Sequence, residues 1–212
     1  MRNLGLVLAL CLPGLAAAEP VTVVALGDSL TQGYGLPPEE GFVPQLERWL
    51  RGHGADAVVL NAGVSGDTSA GGLARADWAL VPEADAVIVA LGGNDMLRGL
   101  PPEELRSNLD GILAKAGAKG LPVLLVAMTA PPNLGAEYKA AFDAVYPEVA
   151  AARGALLADD FLAPLGRALD AGAAPADLIQ PDGLHPTAKG VALIVEGLGP
   201  KVLDLIARAG QI

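Results

Sequence analysis

The sequence predicts an α/β fold with a parallel sheet covered by helices on both faces, and three observations carry that prediction. Short apolar runs recur at intervals of about 30 residues. Most are apolar throughout rather than alternating, the pattern of strands buried on both faces, as parallel strands under helices are. Each run is followed by Gly or Asn and then by apolar residues at three and four spacing, the period of a helix with one buried face.

Taken in order, residues 21–26 (VTVVAL) form the first strand and end at Gly27-Asp28-Ser29-Leu30. Residues 42–51 have helical spacing, with Phe42, Leu46 and Leu50 on one side. The second strand, residues 57–60, runs into Asn61-Ala62-Gly63-Val64-Ser65-Gly66-Asp67-Thr68, and a helix is expected over 71–80. The third strand, 86–91, ends at Gly92-Gly93-Asn94-Asp95. The helix at 102–118 opens on Pro101-Pro102-Glu103-Glu104, where proline fits the first turn and acids complement the helix dipole. A strand at 123–128, a helix at 136–152, a weaker strand at 155–157 and a last helix at 186–209 follow, the last preceded by Asp182-Gly183-Leu184-His185-Pro186. Five βα units result. A doubly wound sheet of order 2-1-3-4-5 places its site beyond the carboxyl ends of the strands, near the switch point. The Gly-bearing polar segments sit where that rule looks for a ligand.

Composition narrows the function classes. The chain has 212 residues with a formal net charge of −10, and its acids are scattered with no basic block, so nucleic acid is not expected as a partner. Gly (27) and Pro (17) make about a fifth of the chain, below the ~25–30% of low-complexity sequence. Residues 1–18 carry Arg2, an apolar run over 4–12, a break at Pro13-Gly14 and the small-residue end Ala16-Ala17-Ala18. That is the grammar of a secretory leader cut before Glu19, leaving a domain over 19–212 and a secreted or periplasmic product with no stable membrane insertion. The one cysteine, Cys11, leaves with the leader, so the mature chain has no disulfide, thiol nucleophile or Cys-ligated zinc. Leu10, before Cys11, is too large for a lipid-attachment signal.

A nucleophilic serine needs a tight turn to expose its hydroxyl, a base for its proton, a carboxylate to orient the base and donors for a developing oxyanion. The loops contain all of these. Gly27-Asp28-Ser29-Leu30, Gly66-Asp67-Thr68-Ser69, Gly92-Gly93-Asn94-Asp95 and Asp182-Gly183-Leu184-His185-Pro186 occur in the order of the SGNH (GDSL) hydrolase motifs, and the chain resembles that family over essentially the whole mature length. Gly71-Gly72-Leu73-Ala74-Arg75, Leu97-Arg98-Gly99 and Tyr146-Pro147 further resemble its periplasmic thioesterase I, lysophospholipase and arylesterase branch.

The resemblance implies a three-layer α/β/α, flavodoxin-like fold with a five-stranded parallel sheet, and an esterase that needs no cofactor and no metal. It implies Ser29 as nucleophile, His185 as general base and Asp182 as its orienting acid, with an oxyanion hole from the Ser29 N–H, the Gly66 N–H and the Asn94 amide. The residue types suit these roles. Gly66 has no Cβ to keep a substrate away, Asn94 has an amide to donate, and a carboxylate three residues from the histidine can reach Nδ1. A monomer acting on a small-molecule ester or thioester is expected.

Other readings of the same residues are open at this stage. Ser29 could cap the following helix, Asp28 could stabilise the helix start, and Asn94 could make a local side-chain turn. His53, in Arg51-Gly52-His53-Gly54, reads as an exposed connector. A metallophosphoesterase would need more than two histidines converging with carboxylates. A carbohydrate acetylesterase, or a non-catalytic lipid or sugar binder, could share the fold. Loops following the third and fourth strands, 96–100 and 129–138, hold Met96, Leu97, Leu100, Pro131, Pro132, Leu134 and Tyr138, a content that favours an acyl chain over a sugar. Met96, Leu97 and Leu100 are expected to bind substrate.

Overall fold

The computed structural model describes residues 19–210, so the expected leader lies outside the described residues. Five parallel strands, β1 (Val21–Gly27), β2 (Ala57–Gly63), β3 (Ala86–Ala90), β4 (Val123–Val126) and β5 (Leu156–Ala158), form one sheet in the order β2-β1-β3-β4-β5. Every residue of β3 and β4 is buried, as uninterrupted apolar strands between two helix layers must be. β2 departs from that expectation. It lies at the sheet edge, where α2 (Phe42–Gly52) covers the face carrying Ala57 and Val59, while Val58 and Leu60 on the other face stay exposed.

On one side α2 packs against the last long helix, α9 (Ala188–Ala209). On the other, α3 (Ser69–Ala79), α5 (Pro102–Ala118) and α6 (Ala136–Arg153) lie side by side with α5 in the middle. The α5 stripe Leu105, Leu109, Ile112, Leu113 and Ala116 is buried at helical spacing. Two helix starts shift from the sequence expectation because threonines cap them. Thr68 accepts from Gly71 N–H at 3.3 Å, so α3 begins at Ser69. Thr187 accepts from Gly190 N–H at 3.1 Å, so α9 begins at Ala188, while Pro186 instead pairs with Ile179 in a single antiparallel bridge. Four shorter helices add to the expected set: α1 (Ser29–Gln32), α4 (Gly93–Leu97), α7 (Ala163–Asp170) and α8 (Pro175–Leu178). They are too short for periodicity to reveal. Among the described residues no helix is long and apolar enough to cross a membrane. His53 is an exposed connector residue, its ring stacked on Trp49 with centroids 3.7 Å apart.

Beyond the end of β3 the chain turns at Gly92, whose φ of +119° is one that L side chains rarely adopt. A Cβ there would lie 2.1 Å from the Tyr146 hydroxyl, which donates to the Leu91 carbonyl at 3.1 Å from a fully buried ring. Burial pushes the Tyr146 phenol well above its ordinary range, keeping it a donor. Gly92→Ala should therefore cost about 2 kcal/mol or more of stability through backbone strain and the clash. Tyr146→Phe, harmful alone because it leaves the Leu91 carbonyl unpaired, should cost less in the Gly92→Ala background. Urea unfolding of the two single variants and the double variant measures the difference, and strictly additive costs would contradict the contact.

Candidate active site

The carboxyl ends of β1 and β3 lie next to each other at the switch point, and the chain leaving each carries polar side chains into one cleft. Asp28, not Ser29, caps α1: its Oδ1 accepts from Leu30 N–H at 3.0 Å. That leaves the Ser29 hydroxyl to meet His185 Nε2 at 2.9 Å across 156 residues of sequence. His185 Nδ1 lies 2.7 Å from Asp182 Oδ2. The other carboxylate oxygen of Asp182 accepts from the N–H groups of Leu184 and His185 at 2.9 and 3.0 Å.

The two backbone donors, followed by the His185 ring, hold the Asp182 carboxyl down at about 2. It is ionised over the working range of pH and fixes the imidazole so that Nδ1 carries a proton and Nε2 faces the serine. The supporting loop is tied down as well. Gln180 donates from Nε2 to the carbonyls of Tyr34 and Pro186 at 2.9 and 2.8 Å, and the half-exposed Tyr34 ring lies over His185 with centroids 4.5 Å apart.

Asp28 stands in the opposite condition. It is 2% exposed, and burial raises its carboxyl to about 6, against the lowering effect of the Leu30 N–H and the His185 charge. Asn94, on α4, donates from Nδ2 to the Asp67 carbonyl at 2.9 Å and, at a longer 3.3 Å, to Asp28 Oδ2. Gly66 occupies the left-handed position of a turn closed by Asp67 N–H to the Val64 carbonyl at 3.1 Å, with φ of +81°. Its carbonyl accepts from Arg98 Nη2 at 2.7 Å. Among the described residues, neither the Ser29 N–H nor the Gly66 N–H donates to a protein acceptor. Below them, buried Asp95 accepts from the N–H and hydroxyl of Ser69 at 2.8 and 2.5 Å, and Asn108 donates to that hydroxyl at 2.9 Å, joining α3, α4 and α5 under the site.

The cleft is walled by Ser29, His185 and Asn94 on its polar side, and by Met96, Leu97, Met128, Leu162 and Leu184 on its apolar side. Of the expected substrate-binding residues, Met96 and Leu97 reach it. Leu100 does not line it; its carbonyl accepts from Tyr138 at 3.0 Å instead. The segment 129–138 also falls outside, with Leu134 and Tyr138 lining a separate hollow beside Pro102 and Glu103. Met128, Leu162 and Leu184 also line the cleft, outside the loops whose apolar content points to a substrate; Met128 ends an apolar run and Leu184 lies within the motif that carries His185, while nothing in the sequence marks Leu162. Among the described residues no group of three or more His, Cys, Asp or Glu side chains is arranged to hold a metal ion.

Residues 25–193 match the GDSL-like Lipase/Acylhydrolase family. Esterase TesA of Pseudomonas aeruginosa is 40% identical over 192 residues, covering 90% of this chain and 91% of that protein. Thioesterase 1/protease 1/lysophospholipase L1 of Escherichia coli K12 is 33% identical over 193 residues, 90% of this chain and 87% of the other. The crystal structure of AlinE4, described as an SGNH-hydrolase family esterase, superposes with a TM-score of 0.71 at 45% identity, covering 89% of this chain and 98% of that one.

The raised Asp28 carboxyl gives a pH-dependent stability with a definite sign. A carboxyl at 3.8 when unfolded and about 6 when folded binds more protons in the folded state between those values, so its contribution is fully present below pH 3.8 and is lost as pH rises through 6. Asp28→Asn removes the titration while keeping an acceptor for Leu30. Whatever the fixed cost of the substitution, stability of Asp28→Asn relative to wild type should improve by up to about 3 kcal/mol between pH 3.5 and pH 7.5. Parallel denaturation curves across that range test it, and a difference independent of pH would contradict an ionisable, buried Asp28.

Proposed function

The chain belongs to the GDSL-like lipase/acylhydrolase family, and within it we propose that Ser29, His185 and Asp182 form the catalytic triad of a serine esterase. The protein is a carboxylic ester hydrolase, as its esterase and arylesterase relatives are named. The observation that carries the residue assignment is the unbroken chain of contacts from Ser29 Oγ through the imidazole to the Asp182 carboxylate.

Ser29 Oγ attacks the ester carbonyl carbon while its proton passes to His185 Nε2. The imidazolium so formed is stabilised through Nδ1–H by Asp182. The carbonyl oxygen becomes an oxyanion held by the Ser29 N–H, the Gly66 N–H and the Asn94 amide. Two points support that set: the two backbone donors have no protein acceptor, and the longer of the two Asn94 contacts, that to Asp28, is the one that can be exchanged for substrate. Collapse of the tetrahedral species breaks the bond to the leaving oxygen, or to the sulfur of a thioester, and His185 returns the proton to it. Water, deprotonated at His185 Nε2, then attacks the acyl-Ser29 carbonyl; the second tetrahedral species collapses with cleavage of the bond to Ser29 Oγ, which takes the proton back from His185 as the acid leaves.

The apolar wall of Met96, Leu97, Met128, Leu162 and Leu184 supports an acyl-chain substrate, whether ester, thioester or lysophospholipid, over the sugar of a carbohydrate acetylesterase. All triad members come from one chain, so the proposed chemistry calls for no residue of a partner subunit and a monomer would suffice for it. Residues 1–18 support the reading of a cleaved leader and a secreted or periplasmic product.

Ser29→Ala should lower kcat by a factor on the order of 10⁴–10⁶ with the fold retained. A phosphonate ester should label wild type irreversibly in the presence of a chelator and leave Ser29→Ala unlabelled. Near-normal turnover by Ser29→Ala would refute the nucleophile assignment. The acyl wall has its own test. With p-nitrophenyl esters of two to sixteen carbons, Leu97→Ala and Leu162→Ala should lower kcat/KM about tenfold for twelve-carbon chains, since each buried methylene is worth ~0.8 kcal/mol, and leave two-carbon esters within about twofold. A uniform fall at every chain length would mean that these leucines only pack the fold.

A further inference from the structure

Behind the cleft, midway along α3, Arg75 spends its guanidinium on three acceptors that belong to the site's scaffold. Nε donates to Asp67 Oδ2 at 2.6 Å, Nη1 to the Ala62 carbonyl at 2.8 Å and Nη2 to the Gly27 carbonyl at 2.9 Å. Gly27 is the last residue of β1, two before Ser29, and Ala62 stands near the end of the neighbouring β2. Asp67 follows Gly66, and its carbonyl is the acceptor that holds the Asn94 amide. One planar fork thus touches the strand that delivers the serine, the strand beside it and the loop that bears one oxyanion donor and orients another. Both side chains of the Arg75–Asp67 pair are less than a fifth exposed, so the contact is shielded from solvent and salt.

The sequence makes room for this pair. A Cβ on residue 71 would lie 2.5 Å from Asp67 Oδ1, so the carboxylate can fold back against α3 towards Arg75 only because residue 71 is glycine. The loop is pinned at its other end too, since Val64 N–H donates to the Gly27 carbonyl at 3.0 Å. The Gly27 oxygen therefore accepts from both the loop and the arginine.

We propose that Arg75, through Asp67 and the Gly27 and Ala62 carbonyls, is a positioning residue that sets the spacing between Ser29, the Gly66 N–H and the Asn94 amide. This rests on the reading of those three groups as the oxyanion hole. Arg75 does not line the cleft. It acts because oxyanion donors work only within a few tenths of an ångström of their place, and a misplacement of 1 Å costs about 10²-fold in rate. Because the charge these donors hold develops only in the transition state, a loosened clamp lowers kcat and leaves KM nearly unchanged. Lysine offers one point charge in place of the fork and cannot span both carbonyls and the carboxylate.

The experiment is a double-mutant cycle on a short p-nitrophenyl ester: Arg75→Lys, Asp67→Asn and Asn94→Ala, singly and with each clamp variant combined with Asn94→Ala, with melting temperatures alongside. Each clamp variant is expected to lower kcat by about 10–100-fold with KM within about threefold. In the Asn94→Ala background each should cost less than half as much on a logarithmic scale, because part of what the clamp positions is already gone. Asp67→Asn preserves shape and backbone and keeps the test readable if Arg75→Lys does not fold. If Asn94→Ala lowers kcat while folded clamp variants keep wild-type kcat, or if the losses multiply in full with KM rising in step, the clamp is overturned and the oxyanion hole stands. If Asn94→Ala itself leaves kcat intact, the oxyanion reading falls and the role proposed for Arg75 falls with it.

Discussion

Parallel strands that end between helix layers present their last carbonyl oxygens where the chain turns away, and a buried carbonyl without a donor is costly. In this protein the donors sent to those carbonyls build the site. The Gly27 carbonyl is met by Val64 N–H and Arg75, the Ala62 carbonyl by Arg75 and the Leu91 carbonyl by the Tyr146 hydroxyl. Beyond the end of β2, the Asp67 carbonyl is met by Asn94. Each of these contacts also locates a loop: the one carrying Ser29, the one carrying Gly66 or the one carrying Asn94. Satisfying the sheet's edge and arranging the groups of the cleft are therefore achieved by the same bonds.

The two aspartates beside His185 and Ser29 illustrate how environment divides one side-chain type into two behaviours. Asp182 stands on an exposed loop, accepts two backbone N–H bonds and the imidazole, and is held at about 2 as a permanent anion. Asp28, next to Ser29 in the chain, is nearly fully buried and rises to about 6. An anion beside the imidazole Nδ1 holds the ring in one orientation. At the base of the cleft, burial raises Asp28, so that it keeps its proton to a higher pH than Asp182 does. Asp28 has a structural duty besides: by capping α1 it relieves Ser29 of that task and leaves the serine hydroxyl for His185.

The wall opposite the polar groups comes from several loops, with Met96 and Leu97 from α4, Met128 after β4, Leu162 after β5 and Leu184 beside the histidine. No single segment by itself presents an apolar wall. The hydrophobic character arises because the carboxyl edge of the sheet gathers one or two apolar residues from each successive loop, the usual way in which one fold accommodates different substrates.

Residue type and spacing specify the element types and the chemical groups that the loops carry. Largely apolar runs mark β1, β3 and β4 because strands covered on both faces favour apolar side chains, and the α5 stripe and its proline-acid start mark that helix to the residue. Ser29, His185, Asp182, Gly66 and Asn94 stand in four short motifs, and the family resemblance that those motifs carry is what singles these residues out. Tertiary structure alone decided what depends on distance between segments far apart in the chain. It brought Ser29 to His185 across 156 residues, left Val58 and Leu60 of the edge strand uncovered, put Leu162 in the cleft and Leu100 outside it, and gave Arg75 three acceptors on separate elements. Local periodicity records which face of an element is buried. Which other element buries it, and how close a side chain on one comes to a carbonyl on another, is set by the packing of the whole sheet and its helices.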